Sequence, residues 1–97
     1  MNIYLLEQDL VNGYDTYDAI VVAAESTDEA RKIHPSRFCT HNNGKNFMGT
    51  YDRGGEYIYT DNDWVKFSDI HKINVTILGE AHPSVEKGVI LASFNAG

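Results

Sequence analysis

Apolar and polar positions alternate with a period of two over much of this chain, a pattern that predicts strands. Residues 2–8 (NIYLLEQ) put Ile3 and Leu5 on one side and Tyr4 and Leu6 on the other, so both faces of this strand are covered at least in part. Residues 19–24 (AIVVAA) are apolar on both faces and β-branched in the middle, which predicts a central strand. Between them, Asn12-Gly13 tolerates positive φ and predicts an antiparallel hairpin of strands 2–8 and 17–24, closed by a wide loop or a bulge. Residues 73–79 set Ile73, Val75 and Ile77 against Asn74 and Thr76, a strand with one dry face. Residues 80–87 read as a turn, and 88–94 (GVILASF) as a last strand, apolar on both faces at its start.

One segment breaks the period of two. Ser26-Thr27-Asp28-Glu29 has the spacing of a capping box, in which the Ser26 hydroxyl accepts from the Glu29 amide and the Glu29 carboxylate returns to the Ser26 amide. A helix of about two turns follows, with Ala30 and Ile33 toward a sheet and Arg31 and Lys32 outward; Pro35 ends it. Residues 37–62 are polar and rich in Gly, Asn and Tyr. Within them, 47–51 and 56–60 flank Asp52-Arg53-Gly54-Gly55 and predict a second hairpin. Residues 61–72 predict a turn or brief helix that sends Trp64 and Phe67 into the core. The fold class is therefore α+β: a mostly antiparallel sheet of four to six strands with one short helix packed on one face. It forms a single domain over residues 1–97, with a polar hairpin or loop insertion at about 37–62.

Composition narrows the function classes. Ninety-seven residues with 42% apolar content suit one modest core, too small for a full dinucleotide-binding fold. Cys39 is the sole cysteine, so no internal disulfide forms. The first residues have no basic run before their apolar stretch and read as a strand, and no apolar run reaches the ~20 residues of a membrane span. A cytoplasmic protein with no membrane contact is expected. The net charge is −6, unevenly spread. Residues 1–30 hold seven acids and no lysine or arginine, whereas 31–97 hold seven acids and eight bases. Such a chain lacks the basic footprint of direct nucleic-acid binding.

Candidate chemistry is sparse. His34, Cys39 and His41 are close in sequence, but their spacing is looser than a zinc site demands, and a helix-end His, a small buried or half-buried thiol and a loop His account for them. Gly44-Lys45 lacks the phosphate-loop spacing. The pairs Asp15/Asp18 and Asp61/Asp63 fit turn caps better than acid–base catalysis. No metal, no cofactor and no catalytic residue is expected. The most informative feature is the interleaving of tyrosines and acids at Tyr14, Asp15, Tyr17 and Asp18. Tyrosine suits interfaces, and acids beside it suit a basic partner surface. Those four, with Glu25, Asp28 and Glu29 adding field, are the expected partner-binding residues on one outward surface. The tyrosines at 57 and 59 read as strand residues with a wet hydroxyl. The rival reading is a small-ligand module for a nucleotide signal or metabolite, built on Arg31, Lys32, Arg37 and Lys45 with aromatic stacking.

The strings YLLEQ, NGYDTYD, VVAAES, EAR and IHPS, with the closing GVILASFNAG, resemble small phage- and prophage-encoded proteins, a group that brings no site residues to carry over. The resemblance covers both ends of the chain and skips residues 37–62. It implies a setting, the bacterial host cytosol, in which compact acidic proteins inhibit host defence systems, as anti-CRISPR proteins do. The expected function is a non-enzymatic protein that binds and inhibits or modulates a host protein bearing a basic surface.

Overall fold

The structure is a computed structural model that describes residues 1–96. Seven strands form two antiparallel sheets. The first contains β1 (Asn2–Glu7), β2 (Thr16–Ala24), β6 (Asn74–Glu80) and β7 (Gly88–Asn95), in the order β6-β1-β2-β7. The second contains β3 (His41–Asn42), β4 (Phe47–Thr50) and β5 (Glu56–Ile58), in that order. The two most apolar strands are thus the central pair of the larger sheet, joined as the expected hairpin, with Leu6 opposite Ile20 and Tyr4 opposite Val22. The single sheet of four to six strands is corrected to two sheets. The insertion builds its own, because β4 and β5 pair with each other and with the short β3 instead of extending β6 or β7.

The core lies on one face of the larger sheet. Tyr4, Leu6, Ile20, Val22 and Ala24 face Ala30, Phe47, Trp64, Val65 and Ile73, all buried. Phe47 joins this cluster, so the second sheet shares the core of the first. In the second sheet β4 and β5 approach closely at Gly49, where a Cβ would overlap the Tyr57 ring. Trp64 is almost fully buried, as expected, and Phe67 packs against the cluster at the start of a 3₁₀ turn, Phe67–Lys72.

The helix α1 (Thr27–Arg31) is shorter than the expected two turns. Ser26 caps it as expected, accepting from the Glu29 amide at 3.2 Å. The return bond is displaced by one residue: the Glu29 carboxylate accepts from the Glu25 amide at 3.1 Å, not from Ser26. Arg31 is also corrected. It turns inward, and its Nη1 donates to the carbonyls of Ile70, His71 and Ile73, the last at 2.6 Å. One guanidinium nitrogen thereby closes the carbonyl end of the 3₁₀ turn, where outward-pointing C=O groups otherwise lack partners. Arg31→Met keeps the apolar stem and removes this clasp; urea unfolding is expected to find the variant less stable by about 2 kcal/mol.

Candidate functional site

The Gln8 side chain pins the start of the loop between β1 and β2. The Gln8 carboxamide accepts from the amides of Leu10 and Val11 and donates to the carbonyls of Val11 and Tyr17. The loop then returns through Gly13 at φ 103° and Asp15 at φ 60°, a left-handed conformation that Asp adopts more readily than most residues. Two bonds dock it on the end of β7: the Asp15 amide donates to the Asn95 carbonyl, and Asn95 Nδ2 donates to the Gly13 carbonyl at 2.7 Å. A third, from the Tyr17 amide to the Asp63 carbonyl at 2.8 Å, ties β2 to the segment after β5.

These ties bring four distant pieces of chain around one open cleft of about 440 Å³. Tyr14, Asp15 and Tyr17 come from the first hairpin, and Ser36 and Phe38 from the segment after α1. Tyr59, Asp61, Asn62 and Asp63 follow β5, and Phe94 comes from the end of β7. The cleft therefore holds three carboxylates beside five aromatic rings, and among the described residues no lysine or arginine lines it. Tyr14 stands 77% exposed at its mouth. Tyr17 and Phe94 pack ring to ring at 4.7 Å. Outside the lining, the Arg37 guanidinium lies 4.9 Å over the Phe38 ring.

The floor is a polar cluster of half-buried Tyr59 and Asp63 with buried His34 behind them. The Tyr59 hydroxyl donates to Asp63 Oδ2 at 2.7 Å. Burial raises the Tyr59 pKa, and the neighbouring carboxylates of Asp63 and Asp61 raise it further, so the hydroxyl remains a donor. Burial also raises the Asp63 pKa, against the opposing bond from Tyr59. Tyr17 is raised by burial and then by Asp63, with Arg37 opposing. Behind Asp63 lies His34, whose Nδ1 accepts from the Ser36 amide at 2.9 Å. That bond fixes the tautomer with the proton on Nε2, 3.6 Å from Asp63 Oδ1. The separation is too long for a hydrogen bond, and among the described residues Oδ1 has no other partner. Burial pushes the His34 pKa down to about 4, so near neutral pH this is a neutral imidazole beside a carboxylate, not an ion pair.

No family model matches the chain, and no curated protein or solved structure matches it.

The cleft accommodates three of the seven expected partner-binding residues, Tyr14, Asp15 and Tyr17. Asp18 is close in sequence but sits at a bulge in the pairing of β2 with β7 and is exposed away from the lining. Glu25, Asp28 and Glu29 lie beyond the opposite end of β2, whose nine residues span ~26 Å. Glu29 is also engaged, 3.3 Å from Lys87 Nζ, and its pKa is lowered first by its bond from the Glu25 amide and then by Lys87. The expectation of a single acidic surface is therefore corrected to two separate ends of one strand. The additional acids of the cleft, Asp61 and Asp63, are the pair expected to serve as turn caps. Nothing local in the sequence marks their contact with Tyr17.

The basic residues of the rival reading do not converge. Arg31 is bound to carbonyls, Arg37 stacks on Phe38, Lys32 lines a cavity with Cys39 and His41, and Lys45 lines another with Trp64 and Phe67. Burial pushes the Cys39 thiol up to about 11, which keeps it protonated, and its Sγ–H faces the His41 carbonyl at 3.7 Å. His41 is bonded to Glu56. Among the described residues, no three His, Cys, Asp or Glu side chains are grouped to hold a metal ion. Among them, no helix is long and apolar enough to cross a membrane.

Proposed function

We propose that this chain is a small acidic phage protein that binds a host protein and inhibits or modulates it, seating a basic side chain of that partner in the cleft between Tyr14 and Asp61. The reading is supported above all by the lining itself: Asp15, Asp61 and Asp63 beside Tyr14, Tyr17, Phe38, Tyr59 and Phe94, with no lining lysine or arginine among the described residues. Carboxylates bind a guanidinium or ammonium head by charge-assisted hydrogen bonds, and the ring faces attract the same cation. Tyr17 and Tyr59 keep their protons and offer neutral walls, so the negative charge stays on the carboxylates.

A partner that carries nucleic acid has surfaces shaped for phosphates, and a cleft of spaced carboxylates competes for the same arginines and lysines. The phage setting comes from the resemblance of the two chain ends to phage- and prophage-encoded proteins and forms part of the proposal.

The test is capture from bacterial host lysate on the immobilised chain at low and high salt. Capture through rim charges is expected to fall steeply as the Debye length shortens from about 14 Å at 0.05 M to about 4 Å at 0.5 M salt. A captured protein whose yield does not change with salt would count against the cleft as the contact.

A further inference from the structure

We infer that the cavity between the second sheet and the 3₁₀ turn is a binding site for a small carboxylate. The cavity measures about 380 Å³, within the ~300–1,000 Å³ of small-molecule sites. Backbone bonds hold its walls. Asn43 Oδ1 accepts from the amides of Lys45 and Asn46 and fixes the turn before β4. The Tyr59 amide donates to the Phe47 carbonyl at 2.8 Å, and the Asp69 amide to the Lys66 carbonyl at 2.8 Å. The chain that carries Lys45 and the chain that carries Lys66 are thus both held in place. The cavity is distinct from the acidic cleft, with which it shares Tyr59, Asp61 and Asn62.

Trp64 and two lysines decide the kind of ligand. Trp64 lines the cavity and is 1% exposed, yet its Nε1–H has no acceptor among the described residues. An indole N–H only donates, and a buried tryptophan usually finds an acceptor for it. A group that meets Trp64 through the cavity therefore gains by bringing an accepting oxygen. Lys45 and Lys66 line the same cavity, are exposed and form no ion pair with a described residue. Asp61 is the one carboxylate of the lining, and burial keeps the His34 imidazole neutral near neutral pH. Two ammonium groups against one carboxylate suit a ligand with a single negative charge, which a carboxylate carries and a phosphate dianion exceeds. The excess is positive in a chain whose net charge is −6. Ile58, 52% exposed, and half-buried Phe67 add an apolar wall on which a short hydrocarbon tail can lie.

Trp64 is the sole tryptophan, so its indole N–H gives a single signal in a proton–nitrogen correlation spectrum of the labelled full chain. Titration with sodium butyrate is expected to move that signal saturably, with roughly millimolar affinity for a ligand of so few atoms. Butyramide, which keeps the tail and lacks the charge, and sodium chloride at equal concentration are expected to leave it in place. Inorganic phosphate is expected to bind more weakly than butyrate. Lys45→Gln and Lys66→Gln together are expected to weaken butyrate binding about tenfold, with the melting midpoint unchanged because both side chains are exposed. A Trp64 signal that butyrate does not move overturns the inference. So does an equal response to butyramide, tighter binding of phosphate, or butyrate affinity that survives the double substitution undiminished.

Discussion

Neutralising Asp15 and Asp61 together, as Asp15→Asn and Asp61→Asn, is expected to weaken capture of a basic partner by roughly a hundredfold at low salt, with the thermal midpoint moved by no more than about 2 °C. The size follows from two charge-assisted hydrogen bonds, each worth about 1.5–3 kcal/mol when its partner group is left at the interface, with part of that screened at the cleft mouth. The fold is spared for separate reasons. Asn adopts the left-handed conformation of residue 15 about as readily as Asp, and the bonds docking the loop run through the Asp15 amide and the Asn95 side chain, not the Asp15 carboxylate. Asp61 is exposed and forms no ion pair with a described residue. Asp63 is unsuited to this experiment, because it receives the Tyr59 hydroxyl and faces His34. Binding isotherms at two salt concentrations, with a melting curve for each variant, measure the result. Equal loss of affinity and of folding would make these residues structural.

Acid is expected to destabilise the chain through His34. Its folded-state pKa of about 4 lies below the ordinary 6.5, so the unfolded chain takes up this proton first. The stability tied to His34 is fully present above pH 6.5 and is lost as the pH falls toward 4. The full difference between those values corresponds to about 3 kcal/mol. Asp63 works in the opposite sense. Its carboxyl is raised by burial, so the folded chain gains its proton more readily than the unfolded chain, and that relief offsets part of the loss at the acid end. Urea unfolding at pH 7, 6 and 5 reads the slope. His34→Phe keeps an aromatic ring against Phe47 and Tyr59, which both meet the imidazole edge-on at 4.8 Å, and removes the titration. The variant starts from lower stability at pH 7, because the Ser36 amide loses its acceptor, but its stability should change less with pH. Parallel slopes for the two proteins would show that the acid sensitivity lies elsewhere.

The elements that were legible in the sequence are those fixed by neighbours. The Ser26 cap and the Asp52–Gly55 turn act over a few residues and produce the helix start and hairpin their chemistry requires, while Asn12-Gly13 marks the first hairpin's loop but the positive φ falls on Gly13 and Asp15. The apolar run at 19–24 marks a strand inside the sheet, and β2 does lie between β1 and β7, although the core packs on one of its faces. What was not legible depends on contacts across the chain. Arg31 sits where a short amphipathic helix shows solvent, yet carbonyls some forty residues later attract its guanidinium. The acids of residues 1–30 are close in sequence, but a nine-residue strand carries Glu25, Asp28 and Glu29 far from Asp15. Conversely, Asp61 and Asp63 meet the first hairpin through contacts across the chain, the bond from the Tyr17 amide to the Asp63 carbonyl and the burial of Trp64 and Val65 against β1 and β2. The apolar pattern of 88–94 marks a strand without saying what covers it. Leu91 proves to be largely exposed, since β7 is an edge strand and the core uses the other face of the sheet.

Carboxylate footprinting of the captured complex tests the cleft most directly. Asp15 and Asp61 at the cleft, and Glu25 and Asp28 beyond the far end of β2, are all exposed and serve as each other's controls. Binding through the cleft leaves Asp15 and Asp61 protected from carbodiimide-driven labelling, while Glu25 and Asp28 label as in the free chain. Protection of Glu25 and Asp28 with Asp15 and Asp61 still open would place the partner at the helix end and contradict the account.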